Sequence, residues 1–356
     1  MNTSKTTRIV QLALMGCMLF LCGCAAGGTA VAPSAASLAA SQPTAASVGR
    51  PLNDAHCHYV NFVQDTEGMA VLLKTMDESG VRNIVLFGLP LVKKWEAADA
   101  NRPTYYNDND SKVYYYSTTD MILARAVLEL PPAQRSRVHP LICGFNPTDK
   151  NAIDHIRRMI EWYPGLWEGI GEIMARHDDL TRMTTDETGR ANHPALNAVY
   201  DFAAENDLPI WLHSNIGTVG LEAPIYLDEV RNAVKDHPKT RFVWCHAGHS
   251  RNLKIPALAQ RVDEMLGANK NLWVDISWVV YENVIAAGGT LDPKWVALIE
   301  KYPDRFMIGS DKIGKFGTYQ SEIRKYNPLL QALTPATAQR VAQDNLWNVL
   351  PARVKH

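Results

Sequence analysis

What this 356-residue chain lacks first is an excess of charge of one sign: 36 Lys and Arg stand against 37 Asp and Glu, a net charge of −1. With both signs mixed throughout, there is no basic face to hold a polynucleotide backbone, so no nucleic-acid partner is expected and a small-molecule substrate is the better default. Long apolar runs are missing too. The N-terminal stretch from Ile9 to Cys22 stops short of the roughly 20 residues that cross a bilayer. Cysteine is scarce: past Cys24 only Cys57, Cys143 and Cys245 remain, each inside an apolar, strand-like run. An odd number in such settings argues for buried thiols over a disulfide framework, even in an oxidising compartment. Finally, no glycine-rich phosphate turn follows the first strand, where the chain has His56, Cys57 and His58 instead.

What is present begins with a targeting segment. Lys5 and Arg8 precede the short apolar stretch, which closes on Leu21, Cys22, Gly23 and Cys24. This resembles the bacterial lipoprotein signal, in which the Cys after a small residue becomes the acylated N-terminus, and the resemblance picks out Cys24. Ala25 and Ala26 follow, without the Asp that would suggest retention in the inner membrane. The expectation is a protein of the bacterial cell envelope, lipid-anchored in the outer membrane and facing the periplasm. Buried methylenes suffice for such an anchor, so nothing else in the chain need touch the membrane. An ordinary secretory signal cleaved elsewhere is the alternative. Residues 25–50, built of Ala, Ser, Thr, Pro and Gly and uncharged as far as Gly49, cannot bury a core and read as a flexible tether.

With 46% hydrophobic and 21% charged residues, the remainder, 51–356, has ample material for one large domain. Eight strand-like runs alternate with helical patterns: Leu52 to His58, Val81 to Leu89, Val138 to Phe145, Leu166 to Ile173, Leu208 to Ser214, Arg241 to His246, Asn271 to Ser277 and Arg305 to Ser310. Between them lie helix-periodic segments such as Met69 to Glu78, Ala152 to Trp162 and Trp295 to Lys301. Eight such units predict an α/β fold, a single-domain (β/α)8 TIM barrel, with an open doubly wound sheet as the alternative. The stretch from Lys93 to Thr119, rich in Tyr, Asn and Asp, reads as an inserted loop over the mouth.

Five of these runs end in residues able to bind a metal, and in a barrel all parallel strands aim their C-terminal ends at one face. His56 and His58, two apart, share a face of the first strand while Cys57 points the other way. Solvated loop histidines are the competing reading. Glu172 lies in Glu168, Gly169, Ile170, Gly171, Glu172, where two Gly let the backbone present a carboxylate. Glu168 comes before the strand end. His213 closes an apolar run in which an unpartnered imidazole would be costly. His246 ends the sixth run; His249, three residues on, is read as a substrate contact. Asp311 follows Ile308, Gly309 and Ser310 and needs a partner of opposite charge, which Lys312 could also supply.

Together these residues resemble the amidohydrolase superfamily, in particular its amidohydrolase 2 branch of metal-dependent hydrolases and decarboxylases. The likeness runs from Leu52 to Leu350, with Asn345 and Leu346 in the position of the family's closing helix. It implies that His56, His58, His213 and Asp311 hold a divalent ion, most often Zn2+. In the branch's members with one ion the place of His246 bonds the water and serves as acid or base. Glu172 departs from the decarboxylases and is more like two-metal hydrolases, where it bridges ions and His213 and His246 shift to the second; one or two ions are therefore expected. The expected function is hydrolysis of a small-molecule ester, lactone, amide or related bond, the ion lowering the pKa of a water from about 16 towards 7. Asp311 and His246 are the catalytic candidates. Arg176, His177, His249 and Trp278, just beyond strand ends, are the expected substrate contacts. Non-oxidative decarboxylation of an aromatic or unsaturated acid is the alternative.

Overall fold

The computed structural model describes residues 49–354 apart from 97, 99, 110 and 186. The expected signal segment, Cys24 and nearly all of the tether lie outside the described residues. Strands β1 (Leu52–His58), β2 (Val81–Phe87), β3 (Val138–Ile142), β4 (Gly169–Met174), β5 (Ile210–His213), β6 (Phe242–Trp244), β7 (Leu272–Asp275) and β8 (Phe306–Met307) pair in parallel, each with the next. The eighth stave is split. β8 pairs with β7 through Phe306↔Val274, the chain breaks over Ile308 to Asp311, and β9 (Lys312–Ile313) then pairs with β1 through Cys57↔Lys312. The Asp311 N–H also donates to the His56 carbonyl at 2.8 Å, so the ring closes across the break. The expected TIM barrel is the observed fold.

Each strand is followed by a helix: α1 (Met69–Ser79), α2 (Thr118–Leu128), α3 (Ala152–Trp162), α4 (Pro194–Glu205), α5 (Leu227–Asp236), α6 (Leu258–Ala268), α7 (Pro293–Lys301) and α8 (Tyr319–Arg324). Their faces follow from spacing. α3 buries Ala152, Ile153, Ile156 and Met159, one stripe of a 3.6-residue period. Local signals set their ends: Asp292 accepts the Lys294 N–H ahead of Pro293, and left-handed Gly80 closes α1 with its N–H on Asp77 and Met76 carbonyls.

One apolar layer lies between strands and helices. A second, made of Ala55, Val85, Phe87, Leu141, Trp211, Val243 and Met307, fills the barrel and is capped by Leu346 and Val349 of the closing helix Asn345–Val349 and by Leu350 just after it. Asn345 fixes that helix by donating to the carbonyls of Pro303 and Phe306, both at 2.9 Å. Cys57 packs in the outer layer, opposite to its neighbours His56 and His58, as the strand period requires. Cys57, Cys143 and Cys245 are all free and buried.

Two expectations are adjusted. β4 starts at Gly169, not Leu166, because the Leu166 N–H turns back to Tyr163 and the Trp167 indole to Met159, while the Glu168 carboxylate is taken by His139 at 2.6 Å. The segment after β2 is more than a loop: Leu91–Lys93 and Val113–Tyr115 form an antiparallel pair, and buried Lys93 donates to the carbonyls of Tyr106, Asn109 and Ser111. Among the described residues no helix is long and apolar enough to cross a membrane.

Candidate metal centre

At the C-terminal rim of the strands the side chains of His56, His58, Glu172, His213, His246 and Asp311 meet. His56 Nε2 and His58 Nε2 lie 3.3 Å apart. Asp311 Oδ1 is 3.4 Å from the first and 3.5 Å from the second. The Glu172 carboxylate reaches all four imidazoles: 3.6 Å from His56, 3.3 Å from His58, 2.9 Å from His213 Nδ1 and 3.4 Å from His246 Nε2. Two adjacent trios result, His56, His58 and Asp311 on one side and Glu172, His213 and His246 on the other.

Backbone geometry builds this rim. Gly171 has φ 140° and lies so close to β5 that a Cβ there would meet the Trp211 backbone oxygen and Cβ at 2.6 Å. Gly309 lets the split stave press against β1, since its Cβ would fall 2.7 Å from that of His56. His246, Ala247, Trp278 and Asp311 all adopt the left-handed region with φ of 49–59°. Each such non-glycine residue costs on the order of 1–3 kcal/mol, and their gathering at one rim is the pattern of a working site.

The outer nitrogens decide what the inner ones offer. His56 Nδ1 donates to Asp275 Oδ2 at 2.6 Å, His58 Nδ1 to the Gly88 carbonyl at 2.7 Å, and His246 Nδ1 to the Ser277 carbonyl at 3.2 Å. Carboxylates and carbonyls only accept, so in these three neutral rings the Nε2 lone pairs face inward, at each other and at carboxylate oxygens, while His213 turns Nδ1 to Glu172 at 2.9 Å and its Nε2 to the Asn215 amide at 3.2 Å. Acceptors crowded against acceptors in a dry site need a cation between them. The electrostatics agree. Burial opposes the charged form of His56, but Glu172, Asp275 and Asp311 outweigh it and hold its pKa well above normal. Against the same burial, Asp311 and Glu172 push His58 up to about 9. Burial would raise Asp311, yet His56, His58 and His246 bring it down to about 2, and His56 and His213 hold Glu172 well below the carboxylate range. This donor set, imidazole nitrogens and carboxylate oxygens, fits a divalent metal.

A family model described as amidohydrolase matches residues 54–345. The chain belongs to the amidohydrolase family. Comparison with curated proteins finds no match. Among solved structures, an amidohydrolase from Burkholderia multivorans with bound Zn is 15% identical, aligns over 85% of this chain and 100% of that one, and superposes with a TM-score of 0.52. A probable 2-pyrone-4,6-dicarboxylic acid hydrolase from Acinetobacter baumannii, with citric acid bound, is 12% identical over 84% of this chain and 99% of that one, with a TM-score of 0.51. At these identities the structural likeness shows the fold alone.

In this amidohydrolase the six rim residues named from the sequence all come together. A cavity opens above them, walled by Tyr105, Tyr106, His177, Arg251 and Trp278. His177 and Trp278 thus line the cavity beside the rim residues. Arg176 does not line it: Glu229 of α5 holds its guanidinium at 2.6 and 2.8 Å, 3.7 Å over the Tyr226 ring. His249 is not on that wall either. It is buried, and burial, only partly opposed by Asp178, holds its imidazole down at about 4. Two residues were missed. Asp275, fully buried, ties His56 to the Ser277 that also contacts His246 at 3.0 Å; its signal was an acid closing the apolar run Leu272, Trp273, Val274. Arg251 lies over the rings of Tyr105 and Trp278 at 5.0 and 5.2 Å, and nothing in its loop sequence announces that place.

Proposed function

We propose that this chain is a metal-dependent hydrolase that cleaves a small-molecule ester, lactone, amide or related bond. The observation that carries the reading is the convergence of inward-facing imidazole lone pairs and two ionised carboxylates beneath one cavity. His56, His58 and Asp311 would hold one divalent ion, most often Zn2+ for such donors, and His213 and His246 a second, with Glu172 shared between them. When bound, such ions make a water acidic and polarise the carbonyl under attack.

The chain's own groups do the rest. Asp311, kept ionised by the surrounding imidazoles, accepts the proton of the attacking water and passes it to the leaving group. Asp275 and Ser277 hold His56 and His246 in one tautomer and orientation. The contact between His246 Nε2 and Glu172 favours a ligand role for His246 over the expected acid or base. Tyr105, Tyr106 and Trp278 exclude water and shape the cavity for a small, planar substrate, and Arg251 adds positive charge at its wall.

A panel of esters, lactones and amides, assayed before and after chelation, tests the proposal. Turnover should vanish on chelation and return with Zn2+, and Asp311→Asn should keep its metal while losing about 10²–10⁴ in kcat. A fully active chelated enzyme would overturn the reading, and release of carbon dioxide from hydroxybenzoates without hydrolysis would replace it with decarboxylation. We also propose, on the sequence of the N-terminal segment, that Cys24 carries a lipid and tethers the barrel to the outer membrane.

A further inference from the structure

His177 sits in the loop after β4, which folds back on itself. Its N–H donates to Thr181 Oγ1 at 2.9 Å, and that hydroxyl donates to the His177 carbonyl at 2.9 Å. The ring is clamped as well: it stacks on His213 at 4.6 Å with 17° between planes and leans on Trp278 at 5.5 Å. Within this loop Nδ1 accepts two backbone N–H groups, from Asp179 at 3.1 Å and Leu180 at 3.3 Å. A backbone N–H cannot turn round to accept, so Nδ1 carries no proton and the neutral ring bears it on Nε2. Asp178 Oδ1 lies 3.4 Å from Nδ1 and would favour a proton there, but that oxygen already accepts the Ser250 hydroxyl.

The ring is 8% exposed and lines the cavity, yet its Nε2–H makes no hydrogen bond to any described residue. A donor without a protein partner at a cavity wall is available to an acceptor that arrives with the ligand. We infer that His177, with Nδ1 committed to two backbone N–H groups, presents Nε2–H as a hydrogen-bond donor to the substrate oxygen that gains charge during attack. This rests on the hydrolase reading for the identity of the oxygen, but the polarity of the ring stands on the loop alone. The charged and titratable groups around the ring are Asp178, His213, His246, Glu172 and Arg251.

Two measurements test it, one of them free of activity. Protein labelled with ¹⁵N-histidine, Zn2+-loaded, is examined by long-range proton–nitrogen NMR at neutral pH, with His177→Gln assigning the signal. The expected pattern is the Nε2–H tautomer; an Nδ1–H tautomer overturns the inference, whether or not any substrate is turned over. On an ester or lactone that the panel shows to be cleaved, His177→Phe keeps the stack on His213 and the metal content but should lose about 10²–10³ in kcat. His177→Gln, whose amide N–H replaces Nε2–H, should keep at least about a tenth of kcat. Wild-type kcat in His177→Phe contradicts the donor role; a panel with no turnover at all sinks the hydrolase reading and leaves the tautomer to decide.

Discussion

Asp275→Asn separates the support of the metal centre from its ligands. Asp275 is fully buried and accepts three hydrogen bonds: from His56 Nδ1 at 2.6 Å, the Ser277 N–H at 2.7 Å and the Ser277 hydroxyl at 2.9 Å. Asn is the same shape, so the fold should survive, but its amide must give up one acceptor. The backbone N–H of Ser277 cannot turn, so the amide oxygen stays on it and the NH2 faces His56. His56 must then accept on Nδ1 and carry its proton on Nε2, which removes the lone pair aimed at His58 and Asp311. Turning the amide over restores the tautomer only by setting two donors against each other in a dry site, at about 1–3 kcal/mol. The expected loss of Zn2+ affinity is about 10- to 100-fold, or about 1.4–2.7 kcal/mol. Competition with a chelating dye at neutral pH measures it, with circular dichroism to show the fold intact. An affinity within about threefold of wild type would refute the claim that Asp275 sets the His56 tautomer, since outer-sphere partners of this kind cost more than that.

Gly171→Ala should cost more than about 3 kcal/mol or abolish soluble expression, because a Cβ would meet the Trp211 backbone; a chemical melt reads it. The ion-free centre should be protonated at neutral pH, with His58 up at about 9, so Zn2+ binding must expel protons. The calorimetric enthalpy at pH 7 should accordingly vary with the ionisation enthalpy of the buffer. The raised His58 also makes the chelated protein lose stability as pH climbs from about 6.5 to 9, the window between the unfolded and folded values. At the N-terminus, an inhibitor of lipoprotein signal peptidase should make an unprocessed precursor accumulate, and unaffected processing would end the lipid-anchor proposal.

The fold was legible because a barrel writes itself eight times in one pattern, an apolar run followed by a 3.6-period helix. The rim ligands were legible because His and acids directly after apolar runs are too costly to leave unpaired. Position after a strand does not, however, fix where a side chain points. Arg176 sits two residues past β4 yet turns to Glu229, while His177, the next residue, faces the cavity. The split of the last stave into two-residue pieces left no periodic trace, and the left-handed turns at His246, Trp278 and Asp311 are set by tertiary contacts that no local preference announces. Asp275 was readable in principle, as one more acid ending an apolar run. Arg251 was not, since only the folded insert brings Tyr105 beside it.

The central claim is that six residues from five barrel staves grip divalent metal at the rim, and elemental analysis of the purified full-length protein tests it most directly. Two Zn2+ per chain are expected, falling to about one or fewer in Glu172→Gln and to none in His56→Ala combined with His213→Ala. A wild-type protein that binds no divalent metal after incubation with Zn2+ and desalting, while remaining folded, would contradict the account.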